Sequence, residues 1–178
     1  MNIERIRDQK TLLEAIRSGS CPKYLFFWGH RPSPSGEIGK SCLSQWWSAS
    51  FTVDGLDYAT AEHFMMAEKA RLFGDEETRA RILKATSPGE AKRFGRDVRG
   101  FDESVWERSR IEFVVRGNLA KFGQNPELSE FLLNTEDHVL VEASPVDRIW
   151  GIGLAADDGR VENPEQWQGL NLGCVPPV

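Results

Sequence analysis

In the segment TAEHFMMAEKA, residues 60–70, a glutamate and a lysine fall where a helix should turn toward a core. At about 3.6 residues per turn, Glu62, Met66, Lys69 and Phe73 share one stripe, with the two charges roughly 10 Å apart along the axis. Met66 and Phe73 argue that this stripe faces inward. Burial strips water from a lysine and makes its amine usable as a nucleophile or base. A carboxylate in the same cavity can move protons. The plainer account is structural: each charge meets some other partner at the edge of the core.

Three further groupings have the types for ligand chemistry. Phe94-Gly95-Arg96 reads as a glycine C-cap followed by an arginine just past a helix end, with Lys92 and Arg93 nearby; such an arginine clamps a phosphate or is simply solvated. Asp147-Arg148-Ile149-Trp150-Gly151-Ile152-Gly153 joins a carboxylate, a flat ring and two glycines that permit close backbone approach. It is not a dinucleotide fingerprint, which needs a third glycine and a following helix. In Gly169-Leu170-Asn171-Leu172-Gly173 the asparagine is a turn residue or a polar reader of a ligand.

The six tryptophans outnumber the two tyrosines, and Trp28, Trp46 and Trp150 lie in or beside glycine-bearing or polar loops. Any single one is an ordinary anchor; several together suit a planar ligand such as a nucleobase. His30, His63 and His138 are scattered, AEHF lacks the second histidine of HExxH, and Cys21, Cys42 and Cys174 show no CxxC spacing. Neither a metal nor a disulfide framework is expected.

The elements that must position these residues follow from local signals. A chain of 178 residues, 40% hydrophobic and 28% charged, suits one domain with its own core. Its net charge of −5 gives no general basic footprint for nucleic acid, and nothing in it reads as a membrane span or secretory signal, so cytoplasmic is the default. Residues 1–20 read as an appended short helix and residues 23–30 as a strand. Asp54-Gly55 marks a hairpin. Thr60, Asp75, Ser87 (with Pro88 and Glu90 as a capping box) and Asp102 are N-caps of four helices, the last running to about Phe122. Asn125-Pro126 opens another, residues 138–144 form a strand, and the glycine-rich remainder is irregular. The fold class is α+β, mostly helical: a single compact domain with a short sheet and hairpin at one side.

The ordered set DG-x-x-YATAEHFMMAEKA, SPGEAKRFGR, AKFGQNPEL, LLNT, LVEASPVDRIWGIG and GLNLG resembles the NADAR, or YbiA-like, family from about Phe26 to Gly173. The resemblance implies an N-glycosidase that hydrolyses the ribose C1–N bond of nucleotide-like substrates, with no metal or cofactor and no membrane partner. Its two substrate classes are ribosylaminopyrimidine phosphate intermediates of riboflavin synthesis and ADP-ribose linked to guanine, free or in nucleic acid. Taken with the rings noted above, it gives Glu62, Lys69 and Asp147 as the expected catalytic residues, and Trp28, Gln45, Trp46, His63, Arg96, Trp106, Trp150, Gly151, Gly153 and Asn171 as the expected substrate-binding ones. Many members have Ser-Asn-Phe where this chain has Ser44-Gln45-Trp46, which keeps an amide and a ring. Residues 21–178 are the expected family domain, without the closing helix that members carry after the last glycine, because CVPPV cannot supply one. The alternative is a non-catalytic ADP-ribose- or nucleotide-binding module, which needs the rings, the arginine and the glycine loop but not the Glu62 and Lys69 charges.

Overall fold

The computed structural model describes residues 6 and 8–173, so the expectations for Cys174 and for the closing helix lie outside the described residues. Helices dominate, as expected for an α+β fold: six α-helices accompany four short strands among the described residues. The chain divides into two compact units, one running up to Ser44 and again from Glu127, the other Gln45–Pro126.

The Gln45–Pro126 unit holds a hairpin and four helices. Strands β1 (Tyr24–Phe27) and β4 (Val139–Glu142) belong to the other unit; here β2 (Phe51–Val53) pairs antiparallel with β3 (Leu56–Tyr58). Asp54 and Gly55 both take positive φ, 52° and 76°, the turn that matches the strand twist. Then follow α2 (Ala61–Leu72), α3 (Glu76–Leu83), α4 (Pro88–Arg96) and α5 (Glu103–Gln124). All four caps act as the sequence indicates. The side chains of Thr60, Asp75, Ser87 and Asp102 accept from the backbone N–H groups of His63, Thr78, Glu90 and Val105. The capping box differs in detail: Glu90 Oε2 accepts from the Thr86 N–H at 2.9 Å, one residue before the cap.

Helix α2 is the centre of this unit, packed on α3, α4 and α5. It is buried on almost every side, Ala61 through Glu68 included. Phe64 tilts against Phe51 and stands edge-on to Tyr58, with centroids 6.0 and 5.0 Å away. Two glycines let neighbouring helices come close. A Cβ on Gly117 of α5 would lie 2.8 Å from the Phe64 ring, and one on Gly95 of α4 would collide with Met66 Sδ. Gly95 therefore corrects the C-cap reading. It lies inside α4, which ends at Arg96 with Asp97 as its C-cap, and it is glycine because α2 leaves no room for a methyl group.

The other unit is built on a parallel pair, β1 with β4, in register from Tyr24↔Val139 to Phe27↔Glu142. Parallel strands need a crossover, and here the intervening chain includes the whole of residues 45–126. Around them lie α1 (Gln9–Arg17), α6 (Pro126–Leu133, its first residue assigned to the other unit) and two short 3₁₀ turns, Lys40–Leu43 and Pro164–Gln166. The N-terminal helix adds Leu12 to a core with Val141, Ala143, Ile152, Leu154, Val161 and Trp167.

Candidate functional site

Lys69, in the last turns of α2, is half-buried. Its Nζ donates to the Gly95 carbonyl at 2.7 Å, sits over the Phe101 ring at 4.1 Å and lies 5.7 Å from the Trp106 ring. The carbonyl is one of the last of α4, so the ammonium meets an orphan acceptor at the negative end of a helix. Met66 and the missing side chain of Gly95 bring that carbonyl within reach. No carboxylate forms an ion pair with Lys69 among the described residues. Burial lowers its pKa below the ordinary lysine value of 10.5.

Glu62 stands on the same stripe, two turns earlier, and is 2% exposed. Its N–H donates to the Gln45 carbonyl at 3.0 Å, and the Gln45 side chain, also buried, donates to Asn118 Oδ1 of α5 at 3.0 Å. The half-buried Trp46 rests on α4, its ring 3.6 Å from where a Gly89 Cβ would stand and 5.7 Å from Lys92 Nζ. Arg96 is exposed at the end of α4.

His63 turns elsewhere. Its Nδ1 meets Thr60 Oγ1 at 2.8 Å and its Nε2 meets the Ala85 carbonyl at 3.2 Å. The carbonyl accepts, so Nε2 carries a proton, while Nδ1 bonds the threonine hydroxyl. Burial lowers its pKa, against the opposing pull of the Ala85 carbonyl and Glu90. Both ring nitrogens are thus engaged within the protein.

In the other unit, the glycine-rich stretch is irregular but densely bonded. Asp147 Oδ1 accepts from the N–H groups of Ile149 and Trp150 at 2.9 and 2.8 Å, forming the turn. Residues 168–173 run beside 148–152, with Leu170, Asn171, Leu172 and Gly173 donating to Arg148, Gly151, Ile149 and Trp150. A Cβ on Gly151 would lie 2.8 Å from the Glu142 carbonyl, which explains the glycine by close approach. Gly153 takes φ +70°. Asn171, at φ 53°, uses its amide as a strand would: Oδ1 accepts from Glu142 N–H at 2.9 Å and Nδ2 donates to the Leu140 carbonyl at 3.0 Å. Its side chain finishes the edge of β4. Trp150 is half-buried, while Trp28, just beyond β1, is 57% exposed.

Thus Lys69 and Trp106 meet directly, Gln45 touches the start of α2, and Asp147, Trp150, Gly151, Gly153 and Asn171 belong to one bonded loop system. Two residues at this site, Phe101 and Asn118, were not anticipated. Phe101 had a signal: it precedes the Asp102 cap and Trp106 follows four residues later, the two positions of a hydrophobic staple. Asn118 had none, because its partner lies far away in sequence.

A mostly helical α+β fold with this arrangement has a solved counterpart. The NMR structure of the Escherichia coli protein YbiA superposes with a TM-score of 0.61 at 26% identity, over 92% of this chain and 88% of that one. The NADAR domain model matches residues 26–175, and the chain belongs to the NADAR family. An N-glycosidase of Acanthamoeba polyphaga mimivirus is 40% identical over 156 residues, 84% of this chain and 89% of that protein. The N-glycosidase YbiA of Escherichia coli (strain K12) is 38% identical over 101 residues, 57% of this chain and 61% of that protein. The chloroplastic riboflavin biosynthesis protein PYRR of Zea mays is 40% identical over 109 residues, and the match spans only 17% of its length.

Proposed function

We propose that this protein is an N-glycosidase that hydrolyses the ribose C1–N bond of nucleotide-like substrates, with Glu62 and Lys69 as the charged groups of its site. The hydrolase class is supported by relatives of that name, one of them 40% identical over most of both chains. The observation that carries the assignment to residues is Lys69 itself, held by a carbonyl and two rings and, among the described residues, in no ion pair with a carboxylate. A lysine placed for structure alone is ordinarily paired or solvated.

Cleavage of the bond builds oxocarbenium-like charge on the ribose and leaves an electron pair on the departing nitrogen. Water supplies the hydroxyl that ends on C1 and the proton that ends on the amine, so the products are a free sugar and a free base. Glu62 is the carboxylate for proton transfer or for countering the sugar's charge. Lys69 bonds the ribose oxygens as a cation or attacks C1 as an amine to form a transient imine. Trp46, braced on α4, is a stacking surface for a base, and exposed Arg96 suits a phosphate. Asp147 and Asn171 serve this reading as builders of their loop.

Ribosylaminopyrimidine phosphates are the first substrates to test, since a relative is named for riboflavin biosynthesis. Guanine-linked ADP-ribose is the second. Purified protein incubated with each, and analysed by mass spectrometry, should release sugar phosphate or ADP-ribose from at least one. Tight binding of both with release from neither would replace the enzyme by a nucleotide-binding module.

A further inference from the structure

Phe101 lies between two fixed points. Before it, the Arg99 N–H donates to Asp75 Oδ2 at 2.9 Å, and the Arg99 guanidinium spans the Asp75 carboxylate at 2.7 and 3.2 Å. That carboxylate is 1% exposed and also caps α3. After it, Asp102 caps α5. Gly100, at φ +70°, turns the chain between the two. The ring therefore has a built position: edge-on to Phe73, centroids 5.4 Å apart, with its face on Lys69 Nζ at 4.1 Å. Yet Phe101 is 44% exposed, poor burial for a residue so firmly anchored.

A ring face attracts an ammonium and offers nothing to a neutral amine's lone pair. The Gly95 carbonyl likewise accepts from the nitrogen and sets its direction. Several other charges around α2 are engaged elsewhere. Glu68 takes Arg71 and Arg116; Arg79 pairs with Glu76 on α3; Arg93 pairs with Glu90 on α4; Arg110 approaches Glu107 on α5. Arg81 pairs with Asp97, Lys92 lies over Trp46, and Glu62 is two turns away on α2 itself. The Phe101 ring and the Gly95 carbonyl lie directly against the ammonium.

We propose that Phe101 is a positioning residue for Lys69: its ring face holds the nitrogen, as an ammonium at rest, where the substrate meets it. The proposal rests on the N-glycosidase reading for the presence of a substrate, and on the placement of the ring and the Gly95 carbonyl for the rest.

The test compares Phe101→Leu and Phe101→Met, which keep apolar cover, with Phe101→Tyr, which keeps the ring. Two readouts are taken: kcat and KM on the substrate hydrolysed by wild type, and titration of the Lys69 side chain by NMR, its signal identified by loss in Lys69→Arg. The Leu and Met variants should lose about fivefold in kcat with KM nearly constant, and their Lys69 signal should titrate at lower pH. The Tyr variant should restore both. Leu and Tyr variants that behave alike, or a Lys69 titration indifferent to the ring, would overturn the proposal. If wild type hydrolyses none of the probes, the N-glycosidase reading fails and the titration alone decides the role of Phe101.

Discussion

Glu62 and Glu68 stand on the same helix, each 2% exposed, and differ in what meets them. Glu68 accepts three hydrogen bonds from Arg71, between 2.8 and 3.1 Å, and has an Arg116 nitrogen at 3.8 Å. Arg116 in turn holds Asp54 in the hairpin turn. Replacing Glu68 by Gln should therefore cost stability, about 2 kcal/mol with both guanidiniums partly exposed, and leave turnover of folded protein near wild type. Glu62→Gln should cut turnover about a hundredfold. Thermal melts and hydrolysis rates on the same two preparations check the pair. The stripe through Glu62 and Lys69 was legible in the sequence because it needs only helical periodicity. The burial of Glu68 was not legible, because Arg116, which joins Arg71 on it, comes from another helix.

Among elements, α2 depends on the closeness of α4. Gly95→Ala should destabilise the protein by about 1–3 kcal/mol, since its Cβ would strike Met66. Met66→Ala in the same chain should recover part of that loss, as denaturant titration of the single and double variants would show. His63 ties the start of α2 to Ala85, just past the C-cap of α3. Its pKa in the folded protein lies below the ordinary 6.5, so the unfolded chain binds its proton more readily. The resulting stability is present above about pH 6.5 and is lost as pH falls through the folded value. His63→Gln should flatten that part of the stability–pH curve, measured by melting between about pH 7 and pH 5. The caps of these helices could be read directly, because capping is decided within four residues. Gly95 was misjudged for the opposite reason: a glycine near a helix end looks like a cap unless the opposing methionine is known.

At the scale of the molecule, helical dominance and the hairpin were legible, but the pairing of β1 with β4 was not. The two strands are separated by more than a hundred residues, and no periodicity names a partner at that distance. The role of Asn171 was hidden for the same reason. Its turn-forming habit is local, whereas the β4 groups its amide completes are not. The resemblance to the NADAR family drew on motif order and so reached further than local rules; the family match over residues 26–175 bears it out. A net charge of −5 and a pI near 5.3 give the protein little long-range pull on a polyanion. Turnover of a small nucleotide substrate should therefore change less than about twofold between about 50 and 200 mM salt, whereas loss by orders of magnitude would mark a nucleic-acid strand as the substrate.

The central claim is hydrolysis of a ribosyl C–N bond at Lys69. The direct measurement is product release by wild type and Lys69→Ala on a ribosylaminopyrimidine phosphate and on guanine-linked ADP-ribose, with borohydride in parallel to trap any imine. Wild type should release product, and a folded Lys69→Ala protein should lose that release by at least about a hundredfold; a trapped adduct in wild type alone would assign the amine as nucleophile, and its absence the cation. Undiminished release by Lys69→Ala would contradict the account.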